Sequence, residues 1–129
     1  MAAGISPEEF RAYAALIASS TLLQRAVERN LREAVLLWEA VEAHPDFEAL
    51  ARPLLSIVPF RHVPAGVTDV NEHNQRLADA MQADGRFWIA SALIDDQVYL
   101  RPCFVNFRTT EEDVLELLEV AAEIGEGLT

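Results

Sequence analysis

Apolar side chains recur every three or four positions along the first third of the chain, the spacing of one face of an α-helix. Ser6-Pro7-Glu8-Glu9 opens the pattern: Ser6 can cap, Pro7 suits the first helical turn, and Glu9 can close a capping box. Phe10, Tyr13, Ala14 and Ile17 follow at helical spacing. Ser19-Ser20-Thr21 weakens the run, and Thr21 with Gln24 predicts the cap of a second helix. That helix runs from Leu22 to about Glu42. Leu23, Val27, Leu31, Ala34, Trp38 and Val41 form its stripe, with Arg25, Glu28, Arg29, Arg32 and Glu39 between them. Pro45 pushes His44 out of the helical region and ends it.

Beyond Pro45 the period changes. Asp46–Pro53 reads as a turn or helical loop, and Leu54–Arg61 as a strand with an edge or bulge at Pro59, which has no N–H to give a ladder. Pro64-Ala65-Gly66 is a turn. Asp69 with Glu72 opens a helix that turns Val70, Leu77 and Met81 inward and ends near Asp84-Gly85. Phe87, Ile89, Ser91 and Leu93 alternate with Trp88, Ala90 and Ala92, which predicts a strand. Asp95-Asp96 supplies a tight turn, and Gln97–Asn106 returns antiparallel, with an irregularity at Pro102. Thr109 with Glu112 caps a last helix whose stripe is Val114, Leu117, Leu118 and Ala121, with Gly125 as its stop. The predicted class is α+β: a helical N-terminal third, then a strand–helix–strand–strand–helix unit with helices laid on a mostly antiparallel sheet. Residues 1–45 form the helical segment and residues 46–129 the small α+β domain.

Charge narrows the partners. A formal net charge of −11 argues against nucleic acid and anionic membranes, both of which need clustered cations. Much of the acid crowds the last helix, where Glu111, Glu112, Asp113, Glu116, Glu119, Glu123 and Glu126 read as a solvated face. No stretch is apolar enough to cross a bilayer, and the start lacks the basic and apolar regions of a signal peptide, so a soluble cytoplasmic protein is expected.

Candidate chemistry is sparse. The single cysteine, Cys103, sits in an apolar run and reads as a small buried hydrophobe rather than a reactive thiol. His44, His62 and His73 are far apart in sequence and show no ligand spacing, so no metal site is expected. Arg101 lies inside an apolar strand. It either holds a carboxylate in a bidentate fork, or pairs with a nearby acid or faces solvent; Arg61 carries the same alternatives. Asn106 reads as a partner for backbone groups at the strand-to-helix turn. All ten basic residues are arginine. A chain without lysine cannot form a Schiff base with an aldehyde cofactor through a lysine amine.

Several runs, in order, resemble one family. Leu100-Arg101-Pro102-Cys103-Phe104-Val105-Asn106-Phe107-Arg108-Thr109-Thr110-Glu111-Glu112-Asp113-Val114 looks like the last strand and helix of the group II pyridoxal-phosphate (PLP) amino-acid decarboxylases. Val58-Pro59-Phe60-Arg61 resembles the family's Val-Cys-Phe-Arg strand, with proline in place of the small residue. Val70-Asn71-Glu72-His73-Asn74-Gln75-Arg76-Leu77 resembles the helix that begins Val-Asn, and Gly85-Arg86-Phe87-Trp88-Ile89-Ala90 the strand that follows. Ala43-His44-Pro45-Asp46-Phe47-Glu48 resembles the short Asp-Pro-x-Phe link, and Val27-Glu28-Arg29-Asn30 falls where the family's connecting helix runs. The resemblance covers roughly Phe10 to Gly125. Residues before Leu22 either continue that helix or resemble the family's N-terminal arm.

The resemblance implies the C-terminal small domain of a fold-type I PLP enzyme. PLP would belong to the parent family and to none of these residues. The family's catalytic lysine, the histidine that stacks on the pyridine ring and the aspartate at the ring nitrogen all belong to the large domain. It further implies a homodimer, or a PLP-bearing large domain or chain, as partner. Arg61, Arg101 and Asn106 would then serve domain docking or substrate entry. A stand-alone dimerisation or partner-binding module without activity is the alternative; a small-molecule-binding fold unrelated to decarboxylases, with a closed polar pocket around Arg101, is a third.

Overall fold

The order of elements follows from a few strong local signals. A computed structural model of the chain describes residues 6–53, 57–102 and 109–129. Helix α1 spans Pro7–Ala43. The predicted capping box forms: Ser6 Oγ accepts the Glu9 N–H at 3.1 Å, and the Glu9 carboxylate accepts the Ser6 N–H at 3.0 Å. The expected break at Ser19–Thr21 does not occur. No glycine or proline lies between Glu8 and Ala43, and serine or threonine costs a helix only a few tenths of a kcal/mol each. Ala34, Leu37 and Val41 are fully buried. The N-terminal half instead exposes Phe10 by 63%, Tyr13 by 61%, Leu16 by 64%, Leu22 by 66% and Val27 by 48%. The inward stripe therefore covers only the second half of the predicted one. The side chains of Ile17 and Leu23 lie outside what is described.

Strand β1, Phe47–Ala49, occupies the stretch expected to be a turn or helical loop. It is only three residues long, too short for alternation to show. It pairs antiparallel with β2, Phe60–His62, placing Phe47 opposite His62 and Ala49 opposite Phe60. The predicted strand from Leu54 is thus shortened, and residues 54–56 lie outside the described residues. Pro59 precedes the ladder and contributes its carbonyl, which accepts the Leu50 N–H at 3.0 Å.

Helix α2, Val70–Asp84, begins at Asp69, whose side chain accepts the Glu72 N–H, and ends on Gly85 in the left-handed region at φ 83°. Strands β3, Ala90–Ile94, and β4, Gln97–Arg101, form the expected antiparallel hairpin, with Ile94 opposite Gln97 and Ala90 opposite Arg101. Asp95 and Asp96 both carry positive φ, at 50° and 62°, matching the twist of a two-residue hairpin turn. Leu93, expected to share a face with buried Ile89, is exposed, as is Trp88. Helix α3, Glu111–Gly127, is capped by Thr110 and Asp113, one residue later than predicted. Both Thr–x–x–acid frames fit the sequence; the Val114 N–H bonded to the Thr110 carbonyl shows which one operates.

The sheet runs β1-β2-β4-β3, with every pair antiparallel. Helix α2 packs across β2, β4 and β3, α3 packs on α2 and β2, and α1 packs on α3 and β1. Phe60, Leu77, Met81, Ile89, Leu100, Val114 and Ala121 fill the space between sheet and helices. The fold is α+β, as the pattern predicts.

Candidate functional site

Polar chemistry inside the fold concentrates where β2 meets α2. Asn74 is fully buried and acts as a substitute strand for His62. Its Oδ1 accepts the His62 N–H at 2.8 Å, and its Nδ2 donates to the His62 carbonyl at 2.9 Å and to the Val70 carbonyl at 2.8 Å. His73, one position earlier on the same helix, sets its Nε2 2.9 Å from His62 Nδ1. Burial, and then the neighbouring His73, lower the His62 pKa to about 4. Burial also lowers that of His73, with Arg76 adding to the effect. Both rings are therefore neutral near pH 7 and share a single proton across their contact. His62 Nε2 is buried without a partner. The tautomer that donates from Nδ1 leaves a lone pair there rather than an N–H, the less costly orphan.

Helix α3 closes this cluster with a glycine. A Cβ on Gly125 would come within 2.5 Å of His62 Nδ1, so the ring occupies space that any side chain would take. Gly125 is consequently not the helix stop expected of it; α3 continues to Gly127. Phe47 lies against His62 at 4.8 Å between ring centroids, and His44 against Phe47 at 4.8 Å. The three histidines, separate in sequence, thus belong to one neighbourhood. Eleven residues separate His62 from His73, and no local periodicity links them. Among the described residues, no group of three or more His, Cys, Asp or Glu side chains could hold a metal ion.

The predicted arginines sit outside this cluster. Arg61 donates to Glu48 Oε1 from Nε at 3.1 Å and Nη2 at 2.8 Å, and its guanidinium lies 5.6 Å from the Tyr99 ring centroid. It borders an open groove of about 590 Å³ whose other walls include Asp69, Asn71, Asp95 and Asp96. Asn71 ties that groove together: it donates to the Asp96 carbonyl at 2.9 Å and accepts the Val98 N–H at 3.0 Å. Arg101 ends β4 and is exposed. Asn106 and Cys103 lie outside the described residues.

The chemistry of the donor set does not suit PLP. The chain offers no lysine amine for the aldehyde. The groove beside Arg61 is walled by three carboxylates, with the guanidinium already held by Glu48, a poor setting for a phosphate dianion. Among the described residues, no helix is long and apolar enough to cross a membrane.

No family model matches the chain. An aromatic-L-amino-acid decarboxylase from Bacillus atrophaeus is 28% identical over 116 residues, covering 84% of this chain and 24% of that protein. The crystal structure of Catharanthus roseus tryptophan decarboxylase in complex with L-tryptophan superposes with a TM-score of 0.75 at 23% identity, over 81% of this chain and 23% of that one. The structure of Oryza sativa TDC with PLP superposes with a TM-score of 0.76 at 20% identity, over 84% and 24%. The resemblance to group II PLP decarboxylases is borne out: the fold is one found within those enzymes. The chain spans about a quarter of the length of the relatives it matches.

Proposed function

We propose that this chain acts as the C-terminal small domain of a PLP-dependent amino-acid decarboxylase and carries no catalytic centre of its own. The observation that carries the reading is a mismatch of extents. Four-fifths of the chain follows the relatives' fold, yet it accounts for about a quarter of their length and holds no lysine. In the parent family PLP supplies the electron sink for losing an α-carboxylate; the residues of this chain supply shape and contacts.

The roles divide accordingly. Residues 1–45 act as the helical connecting segment and 46–129 as the domain body. The His62–His73–Asn74 cluster fixes β2 to α2 and is structural. Arg61, held near the Tyr99 ring by Glu48, presents a preset guanidinium edge at the groove rim, and Arg101 presents an exposed one at the end of β4. These two, with Asn106, serve domain docking or substrate entry. The partner is a PLP-bearing large domain or chain.

A second reading, a stand-alone module that self-associates, is favoured by the apolar side chains standing exposed along the first half of α1, because such a face needs covering. Replacing the matching segment of the Bacillus atrophaeus enzyme by this chain separates the two readings. The first predicts a soluble hybrid that binds PLP and releases carbon dioxide, while a deletion lacking the segment does neither. A hybrid that folds and binds PLP but behaves like the deletion in turnover argues for the second.

A further inference from the structure

Two surface stripes on different helices of the chain are complementary in charge, spacing and apolar content. On α1, Arg25, Arg29 and Arg32 line a groove of about 420 Å³ together with Leu22, Ala26 and one acid, Glu28, whose carboxylate accepts from Gln24 Nε2 at 3.2 Å. On α3, Glu119, Glu123 and Glu126 rim a groove of about 480 Å³ floored by Leu115, Leu118 and Ala122. Both charged rows follow the spacing i, i+4, i+7, so each runs about 10.5 Å along its helix.

Neither row is satisfied within the chain. Among the described residues, Arg25 and Arg32 make no ion pair, and Arg29 reaches buried Glu33 from its Nε only at 3.8 Å, too far for a hydrogen bond. Glu123 meets Arg86 only at 3.7 Å, and among the described residues Glu119 and Glu126 pair with no cation. The two rows cannot meet in one molecule, because the part of α1 that packs on α3 is the later stretch around Ala34, Leu37 and Val41.

We infer that the occupant of each stripe is the other stripe on a second copy of this chain, α1 of one protomer lying on α3 of its partner. A two-fold axis makes the contact twice and closes the dimer. The three arginines face three glutamates while Leu22 and Ala26 cover the floor of the acidic groove. The inference rests on the self-association reading above and specifies its surface. Exposed ion pairs are weak singly and screened by salt, so the dimer tightens at low ionic strength.

Sedimentation velocity on the whole chain tests this, with circular dichroism confirming the fold. Wild type forms a dimer, and R25E/R29E/R32E and E119R/E123R/E126R are each monomeric, their dissociation constants weakened at least about 100-fold by like charges placed face to face. Because Arg29 touches buried Glu33, the pair R25E/R32E repeats the test without disturbing it. Mixing the two reversed triples restores a heterodimer, since both contacts are then complementary again. A dimer that survives the reversals overturns this surface but leaves self-association standing. A wild-type chain that remains monomeric at about 100 μM overturns both. Capture of a decarboxylase large domain by the arginine row of such a monomer gives the surface a different occupant and likewise overturns the inference.

Discussion

At the scale of single residues, His62 is the most consequential position and the one least visible in sequence. Its ring is buried among Phe47, His73 and Gly125, and its ordinary neighbours Arg61 and Val63 give no hint of this. Protonation is the natural probe. The His62 pKa is lowered from 6.5 to about 4 by burial and by His73, so the unfolded chain binds more protons between those values. Stability is therefore full above about pH 7 and falls as pH drops from 6.5 towards 4, by on the order of 3 kcal/mol across the window. Burial raises the Glu33 pKa, and that contribution has the opposite sign: it is present at low pH and lost as pH rises through the folded value. Urea denaturation at several pH values separates them, because His62→Phe reduces the slope between pH 4 and 6.5 and leaves the contributions of Glu33 and of His73, whose pKa burial also lowers. An unchanged slope would remove His62 as its source. Gly125→Ala drives a Cβ into the ring and costs about 1–3 kcal/mol. Gly127→Ala meets open space and stays within about 0.5 kcal/mol. Equal effects of the two glycine substitutions would show that the close approach is not sustained.

At the scale of elements, strong local rules were legible and weak ones were not. The Ser6–Glu9 box, the Asp69 cap, the Gly85 stop and the Asp95-Asp96 turn all rest on residues with one dominant conformational use, and each occurs as expected. The missed features depend on tertiary context. β1 exists only because β2 lies beside it, the Ser19–Thr21 stretch stays helical because no breaker stops it, and the Thr110 frame wins over Thr109 by one residue. The hairpin gives the sharpest test of local against tertiary control. Asp96 pays for a positive φ that glycine adopts freely, so Asp96→Gly raises stability by about 1 kcal/mol. Asn71→Ala, which removes the two bonds holding the turn to α2, lowers it by about 1–3 kcal/mol. Thermal melts of both variants check this; destabilisation by Asp96→Gly would mean the aspartate is held by more than its backbone.

For the molecule as a whole, the fold class and the family likeness were readable because they are carried by ordered runs of residues, from Val58-Pro59-Phe60-Arg61 to the strand and helix after Leu100. The candidate site was far less readable. Arg61 carried open alternatives in the sequence, and the structure gives it a specific acid, Glu48, thirteen residues away. The histidine cluster needed three elements brought together before it existed at all. What the whole chain lacks weighs as heavily as what it contains: ten basic residues, all arginine, in a chain that spans about a quarter of the relatives it matches. On the function proposed above, this chain supplies shape and contacts but not decarboxylation chemistry. The direct measurement is carbon dioxide release from labelled amino acids by the purified chain with added PLP. Release no faster than from PLP in buffer is expected for aromatic amino acids, glutamate and diaminobutyrate alike. Saturable turnover above that background, lost when the chain is unfolded, would contradict it.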